Sequence, residues 1–183
     1  MKICLLKIEG MTEAILGLSL SWNVEIEKAQ RAGTRIFDER NKALLGGEAK
    51  FLEFVKVWLD ITAPRYWWQQ FDTYRIGISK QSESTMHTIR RRQLTPEDFE
   101  NGIIHKKTLA AVNSLIKERD FDGIKSNLPE GFLQRRIIAS DVKTLNYIQM
   151  QRRSHKLKEW QLFCDFVENT INNKVKFELE NYI

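Results

Sequence analysis

The chain has 183 residues, 42% hydrophobic and 29% charged, with a net charge of +5. That length predicts one domain, residues 1–183, able to bury a core, and no stretch approaches the length of a membrane span. The mild basicity suits an anionic small ligand or a nucleic acid and does not choose between them.

The opening MKICLLKIEG is too short and too soon charged for a secretory signal, so the chain reads as cytoplasmic with no membrane partner. Lys2–Ile8 alternates as a strand. Met11–Trp22 places apolar residues at 11, 14, 15, 18 and 22, which is helical spacing. Gly46-Gly47 breaks the chain. Phe54–Ile61 alternates as a second strand, and Pro64 stops it and starts a helix running to about Tyr74. Thr95-Pro96-Glu97 reads as a helix start: a hydroxyl cap, proline in the first turn, then acids. Lys106–Lys117 carries Leu109, Val112, Leu115 and Ile116 on one face. Gly123 and Pro129 bracket a loop, residues 129–138 read as helical, and Ser140-Asp141 caps a helix through Arg152. A last amphipathic helix runs from Lys156 to Lys174. There is no internal repeat or linker. The fold class is α/β (α+β), a few-stranded sheet with predominantly helical flanks. Cys4 and Cys164 lie far apart and read as two reduced, buried thiols.

Chemistry concentrates in Pro64–His87, PRYWWQQFDTYRIGISKQSESTMH. Two amides, Gln69 and Gln70, stand among aromatics. Arg75 follows, then the hydroxyls of Ser79, Ser82, Ser84 and Thr85. Such groups suit a pocket for a phosphorylated planar ligand: aromatics stack, amides read edges, arginine and hydroxyls grip phosphate. The plainer reading makes Trp67 and Phe71, which share a helical face, core residues. Gln70 and Arg75, five apart, reach one pocket only if their helix ends near Tyr74, which Gly77 permits. The basic runs Arg90–Arg92, Arg135-Arg136 and Arg152-Arg153 read first as solvated helix ends. The three histidines have no metal-ligand spacing. No nucleophile elbow, phosphate-loop or dinucleotide fingerprint occurs.

The order of these motifs from Gly46 to Phe166 resembles the flavin-dependent thymidylate synthases of the ThyX type, as a short, divergent, phage-like member. Glu53 in GGEAKFLE falls where the family's flavin-contacting glutamate stands, eleven residues before Pro64. Gln70 and Arg75 match the nucleotide-binding glutamine and the last arginine of the family's Arg-His-Arg triplet. Ser79, Gln81 and Ser84 match its serine-rich loop once one residue is inserted after Arg75. Lys125 in KSNLP replaces the arginine of an Arg-x-x-Leu-Pro segment. Asp141, Lys143 and Leu145 resemble Asn-x-Arg-Ser-Leu, Arg152 matches the pyrimidine-holding arginine, and Trp160 a later tryptophan. The departures remove positive charge: Thr73-Tyr74-Arg75 for Arg-His-Arg, Met86 for the loop's final arginine, Glu48 for a histidine, Lys143 for an arginine.

The resemblance implies methylation of dUMP, or a related pyrimidine nucleotide, with a reduced folate as one-carbon donor, FAD as hydride carrier and NADPH as reductant. It implies a homotetramer whose active sites form between subunits. Glu53, Arg75 and Lys143 would meet the flavin. Gln70, Ser82, Glu83, Ser84, Lys125 and Arg152 would hold the nucleotide, with Arg152 also catalytic. Three alternatives stand beside it: a nucleotide-binding relative with altered or lost catalysis, a small nucleic-acid-binding protein stacking bases on its aromatics, and, on the bland composition alone, a structural interaction protein. The scattered basic runs count against the second.

Overall fold

The computed structural model describes residues 1–89 and 91–182, and not the Met86 side chain. Arg90 of the first basic run and the Met86 side chain therefore lie outside the described residues. The chain begins with β1 (Lys2–Glu9), then α1 (Met11–Trp22), α2 (Ile26–Asp38), α3 (Arg40–Gly46) and a 3-10 turn, Glu48–Glu53. Strand β2 (Lys56–Pro64) runs straight into α4 (Arg65–Phe71). Next come β3 (Ser79–Ser82), α5 (Thr85–Thr88), α6 (Lys106–Glu118) and α7 (Phe121–Asn127). Strand β4 (Leu133–Asp141) feeds α8 (Val142–Arg152). The chain ends in α9 (Lys158–Phe166), a π-helical turn (Val167–Asn172) and α10 (Asn173–Glu180). The strands form one antiparallel sheet in the order β1-β2-β4-β3.

The chain folds as two compact units. One comprises Met1–Lys2, Ile61–Tyr74 and Lys80–Ile137. The other comprises Ile3–Asp60, Arg75–Ser79 and Ile138–Ile183. In the first, Val112 and Ile116 on one face of α6 join Ile124, Leu128, Phe99 and Phe132 in the core. Helix α4 buries Trp67, Trp68 and Phe71, with Trp67 and Phe71 stacked at 4.9 Å. A short helix can bury three aromatics because two are adjacent and the third lies one turn on.

Three sequence readings are corrected in this unit. Residues 129–138 are not helical: Leu133 onward is β4, preceded by a bridge between Phe132 and Phe99. Pairing with neighbouring strands overrides the local preference of a Leu-Gln-Arg-Arg run. Gly123 is not in a loop but inside α7, whose cap is Asp120 accepting from the Gly123 N–H at 2.9 Å. The Thr95 start opens one 3-10 turn, Pro96–Asp98, with its capping box formed. It stops there because Phe99 is extended and Asn101 is left-handed.

In the second unit α1 buries Met11, Ala14, Ile15 and Leu18. Helix α2, which the sequence reading passed over, buries Ala29, Gly33, Ile36 and Phe37, a stripe of helical period. The predicted last helix is interrupted by the π-helical turn and runs on to Glu180. Cys164 is buried and Cys4 half-buried, both as free thiols. Burial pushes the Cys164 thiol up to about 11.

A polar network fastens α8 to the turn after α9. Buried Asn146 donates to Asn172 Oδ1 at 2.9 Å, and Gln149 Nε2 donates to Glu168 Oε2 at 2.9 Å. Arg40 pairs with the same Glu168. Burial opposes that charge, but hydrogen bonds from Arg40, Gln149 and Asn172 outweigh it and hold the carboxyl at about 2, below its ordinary 4.5. A depressed carboxyl contributes stability above its ordinary value and loses it as pH falls toward the folded one. Glu168 is about a third exposed, so screening limits the contribution to on the order of 1–2 kcal/mol. Glu168→Gln should lose that amount at pH 7, and the gap to wild type should narrow between about pH 4.5 and pH 2. Urea unfolding of both proteins at pH 7 and pH 3 checks it.

Candidate functional site

Strand β2 alternates. Val57, Leu59, Ile61 and Ala63 are buried, so Lys56, Trp58, Asp60 and Thr62 line the other face. In the second unit, Lys56 and Trp58 join Arg75, Ser79, Ser140 and Asp141 around a cavity of about 450 Å³. Its wall is tightly built. Ser140 Oγ donates to the Gly77 carbonyl at 2.9 Å, and Asp141 caps α8 by accepting from the Thr144 N–H at 2.8 Å. Lys56 Nζ lies 3.8 Å from Asp141 Oδ2. Gly77 has φ +73°, and a Cβ there would meet Thr144 Oγ1 at 2.3 Å. The cavity offers one indole face, two cations and two serine hydroxyls, the materials for a planar ligand carrying phosphate.

Glu53 and Lys143, both predicted flavin contacts, lie in the same unit and bond to each other at 2.6 Å. Arg152 ends α8 with its guanidinium 4.8 Å from the centre of the buried Trp160 ring. His155 packs against the same tryptophan at 6.1 Å. Burial, with the neighbouring Arg152 charge, holds its pKa below the ordinary value.

The predicted nucleotide contacts Gln70, Ser82, Glu83, Ser84 and Lys125 fall in the first unit. Gln70 is half-buried in the last turn of α4. Glu83 continues the pairing of β3, its N–H donating to the Arg135 carbonyl at 2.9 Å. The Ser84 carbonyl accepts from the His87 and Thr88 N–H groups and so begins α5. Lys125 Nζ donates to Thr85 Oγ1 at 2.7 Å, bringing α7 onto this hydroxyl-bearing segment. Glu83 also lines a cavity of about 580 Å³ with Arg91, Arg92 and Arg135, in which Arg92 is paired with Asp98. Asp72 ends α4. Burial works against its charge, but hydrogen bonds from Lys80 and Arg136 outweigh burial and keep its carboxyl below the usual value.

No protein-family model matches the chain, and no curated protein matches it in sequence. Solved structures do. The structure of the flavin-dependent thymidylate synthase ThyX from Helicobacter pylori complexed with FAD and dUMP superposes with a TM-score of 0.75 at 15% identity, covering 99% of each chain. A second structure of Helicobacter pylori ThyX with FAD and dUMP gives a TM-score of 0.77 at 16% identity, over 99% of this chain and 98% of the other. The chain has the ThyX fold.

Within the ThyX fold the candidate residues sort by unit. Arg75 and Ser79 share the Trp58 cavity, Glu53 pairs with Lys143, Lys125 meets Thr85 and Glu83 meets Arg135, while of the six predicted nucleotide contacts Arg152 alone falls in the second unit. The predicted stacking platform is not available at Trp67, Trp68 or Phe71, since all three are buried. That removes the feature on which the nucleic-acid reading leaned. An aromatic that does line a cavity is Trp58, which sequence reasoning missed. Its sign was present: a tryptophan on the polar side of an alternating strand. Arg135 and Arg136 lie on β4, not at a helix end. Among the described residues no cluster of three or more His, Cys, Asp or Glu side chains could hold a metal ion, and no helix is long and apolar enough to cross a membrane.

Gly77→Ala would place a methyl group against Thr144 in a backbone conformation that disfavours it. A loss of about 2 kcal/mol or more is expected. Thermal unfolding measures it, and Gly77→Ala with Thr144→Gly should recover only the part due to the clash.

Proposed function

We propose that this chain is a flavin-dependent thymidylate synthase-like enzyme, with residues 1–183 acting as a single domain. Its substrate is dUMP or a related pyrimidine nucleotide, with a reduced folate as one-carbon donor. What carries the reading is the fold match over 99% of both chains to an enzyme complexed with FAD and dUMP. The residues of the second unit fit a flavin nucleotide: Arg75 and Lys56 supply cations for phosphates, and Trp58 supplies a flat face. When bound, FAD supplies the hydride chemistry, and the protein supplies placement and charge.

The chain's own residues then have distinct roles. Gln70 reads a ring edge by its amide, and Ser82, Glu83 and Ser84 hold the nucleotide through side chains and main chain. Lys125, already oriented by Thr85, gives a positive charge for the phosphate. Arg152, steadied on Trp160, stabilises negative charge developing on the pyrimidine oxygen during attack at its neighbouring carbon. Glu53 and Lys143, one acid and one base held together, offer both an acceptor and a donor at the flavin. The same reading carries NADPH as reductant, a homotetramer, a cytoplasmic setting and a phage-like origin.

Absorbance titration tests it. Purified protein should bind FAD, with a flavin spectrum that dUMP perturbs. Arg152→Ala should keep the flavin spectrum and lose thymidylate formation by at least about a hundredfold. Saturable dUMP binding without FAD binding would instead favour a nucleotide binder that has lost the redox half, a reading consistent with Thr73-Tyr74 in place of Arg-His. Binding of neither would sink the proposal.

A further inference from the structure

A run of hydrogen bonds in the first unit joins two segments that the proposed function assigns to the nucleotide. Trp68 and Asp72 are four apart on α4 and its closing turn, so they share a face. Gln134 and Arg136 are two apart on β4, so they too share a face, opposite to that of Arg135. Where the two faces meet, the Arg136 guanidinium lies 4.4 Å from the centre of the Trp68 ring. One of its nitrogens donates to both oxygens of Asp72, at 2.9 and 3.1 Å. Two others donate to Gln134 Oε1, at 3.3 and 3.0 Å. The far end of that amide, Gln134 Nε2, donates to the Glu83 carbonyl at 3.1 Å, while the Gln134 carbonyl accepts from Trp68 Nε1 at 2.8 Å. Lys80 on β3 meets the same Asp72 Oδ1, at 2.9 Å.

The chain of contacts is therefore Asp72, Arg136, Gln134, Glu83. It begins two residues after Gln70 and ends in the Ser82–Ser84 segment. Its direction is forced: Arg136 has only donors, so Gln134 must turn its oxygen toward Arg136 and its NH2 toward Glu83. A loose surface pair would do nothing measurable. Here Arg136 bonds Asp72 through one nitrogen and Gln134 through two, lies over an indole ring and is only 14% exposed.

We propose that Arg136 is a positioning residue for nucleotide binding. Through Asp72 and Gln134 it sets the separation between the Gln70 end of α4 and the Ser82–Ser84 segment, and so the length of pyrimidine nucleotide that both can grip. It rests on the pyrimidine-nucleotide reading above. Arginine is needed because one planar group must reach a carboxylate and an amide at once while lying over a ring. Lysine keeps the charge but cannot do this.

The test is dUMP affinity by calorimetry for the FAD-loaded wild type, Arg136→Lys, Asp72→Asn and the double variant, with FAD affinity, kcat and Tm measured on each. Arg136→Lys should weaken dUMP by about tenfold or more, with FAD affinity within twofold and kcat at saturating dUMP little changed, because binding common to ground and transition states is what is lost. The double variant should be no worse than the weaker single, since the two residues act as one unit. An unchanged dUMP affinity in Arg136→Lys overturns the proposal. So does a parallel loss of FAD, dUMP and Tm, which marks a purely structural role. A wild type that binds no dUMP overturns the functional reading and takes the positioning role with it. A wild type that binds dUMP no better than Arg136→Lys overturns the positioning role alone.

Discussion

Strand β2 buries every second side chain, and this period of two governs what the rest of the molecule can present. With Val57, Leu59, Ile61 and Ala63 fully buried, Lys56 and Trp58 are left to line a cavity. A slip of one residue would bury Lys56 and Asp60 and turn four apolar side chains outward, so the register is strongly specified. Neighbouring elements then complete the cavity. The left-handed turn at Gly77 brings Arg75 and Ser79 to it, and β4 delivers Ser140 and Asp141 just before α8 begins. The aspartate that caps α8 is also the one nearest Lys56, so helix initiation and cavity charge depend on a single side chain.

Carboxylates in this basic chain act chiefly as anchors for cations. Asp72 holds Arg136 and Lys80, Glu168 holds Arg40, Glu53 holds Lys143, and Asp98 holds Arg92. The formal surplus of +5 is thus a poor guide to where an anion would sit. Exposed Arg75 and the hydroxyl-rich segment after it are better guides, because phosphate recognition depends on directed N–H and O–H donors more than on net charge.

Much of the fold was legible where one element's pattern decides its own structure. The alternation of Lys2–Ile8, the apolar spacing of Met11–Trp22 and Lys106–Lys117, and the Asp141 cap all correspond to elements that form. The stripe Ala29, Gly33, Ile36, Phe37 was equally readable and was overlooked. Residues 129–138 were not legible locally: Gln-Arg-Arg suits a helix, and only the partners of β4 make it a strand. That error carried a second one, since Arg135-Arg136 read as a solvated helix end cannot be the hub between Asp72 and Gln134. For the candidate site, Gln70, Arg75 and Arg152 were nominated from the order of motifs. The contacts that orient Lys125 and Lys143, with Thr85 and Glu53, join residues 40 and 90 apart and needed the fold.

The two compact units have a genetic consequence. The chain passes from one to the other at five places, after Lys2, Asp60, Tyr74, Ser79 and Ile137, and four of these lie inside strands, one in each of β1, β2, β3 and β4. No continuous stretch of the gene encodes either unit. Cutting the chain at any of those four points would divide a strand and leave each fragment with unsatisfied pairing groups, the kind that pair with other chains. Neither unit can therefore be excised or transplanted as one continuous fragment.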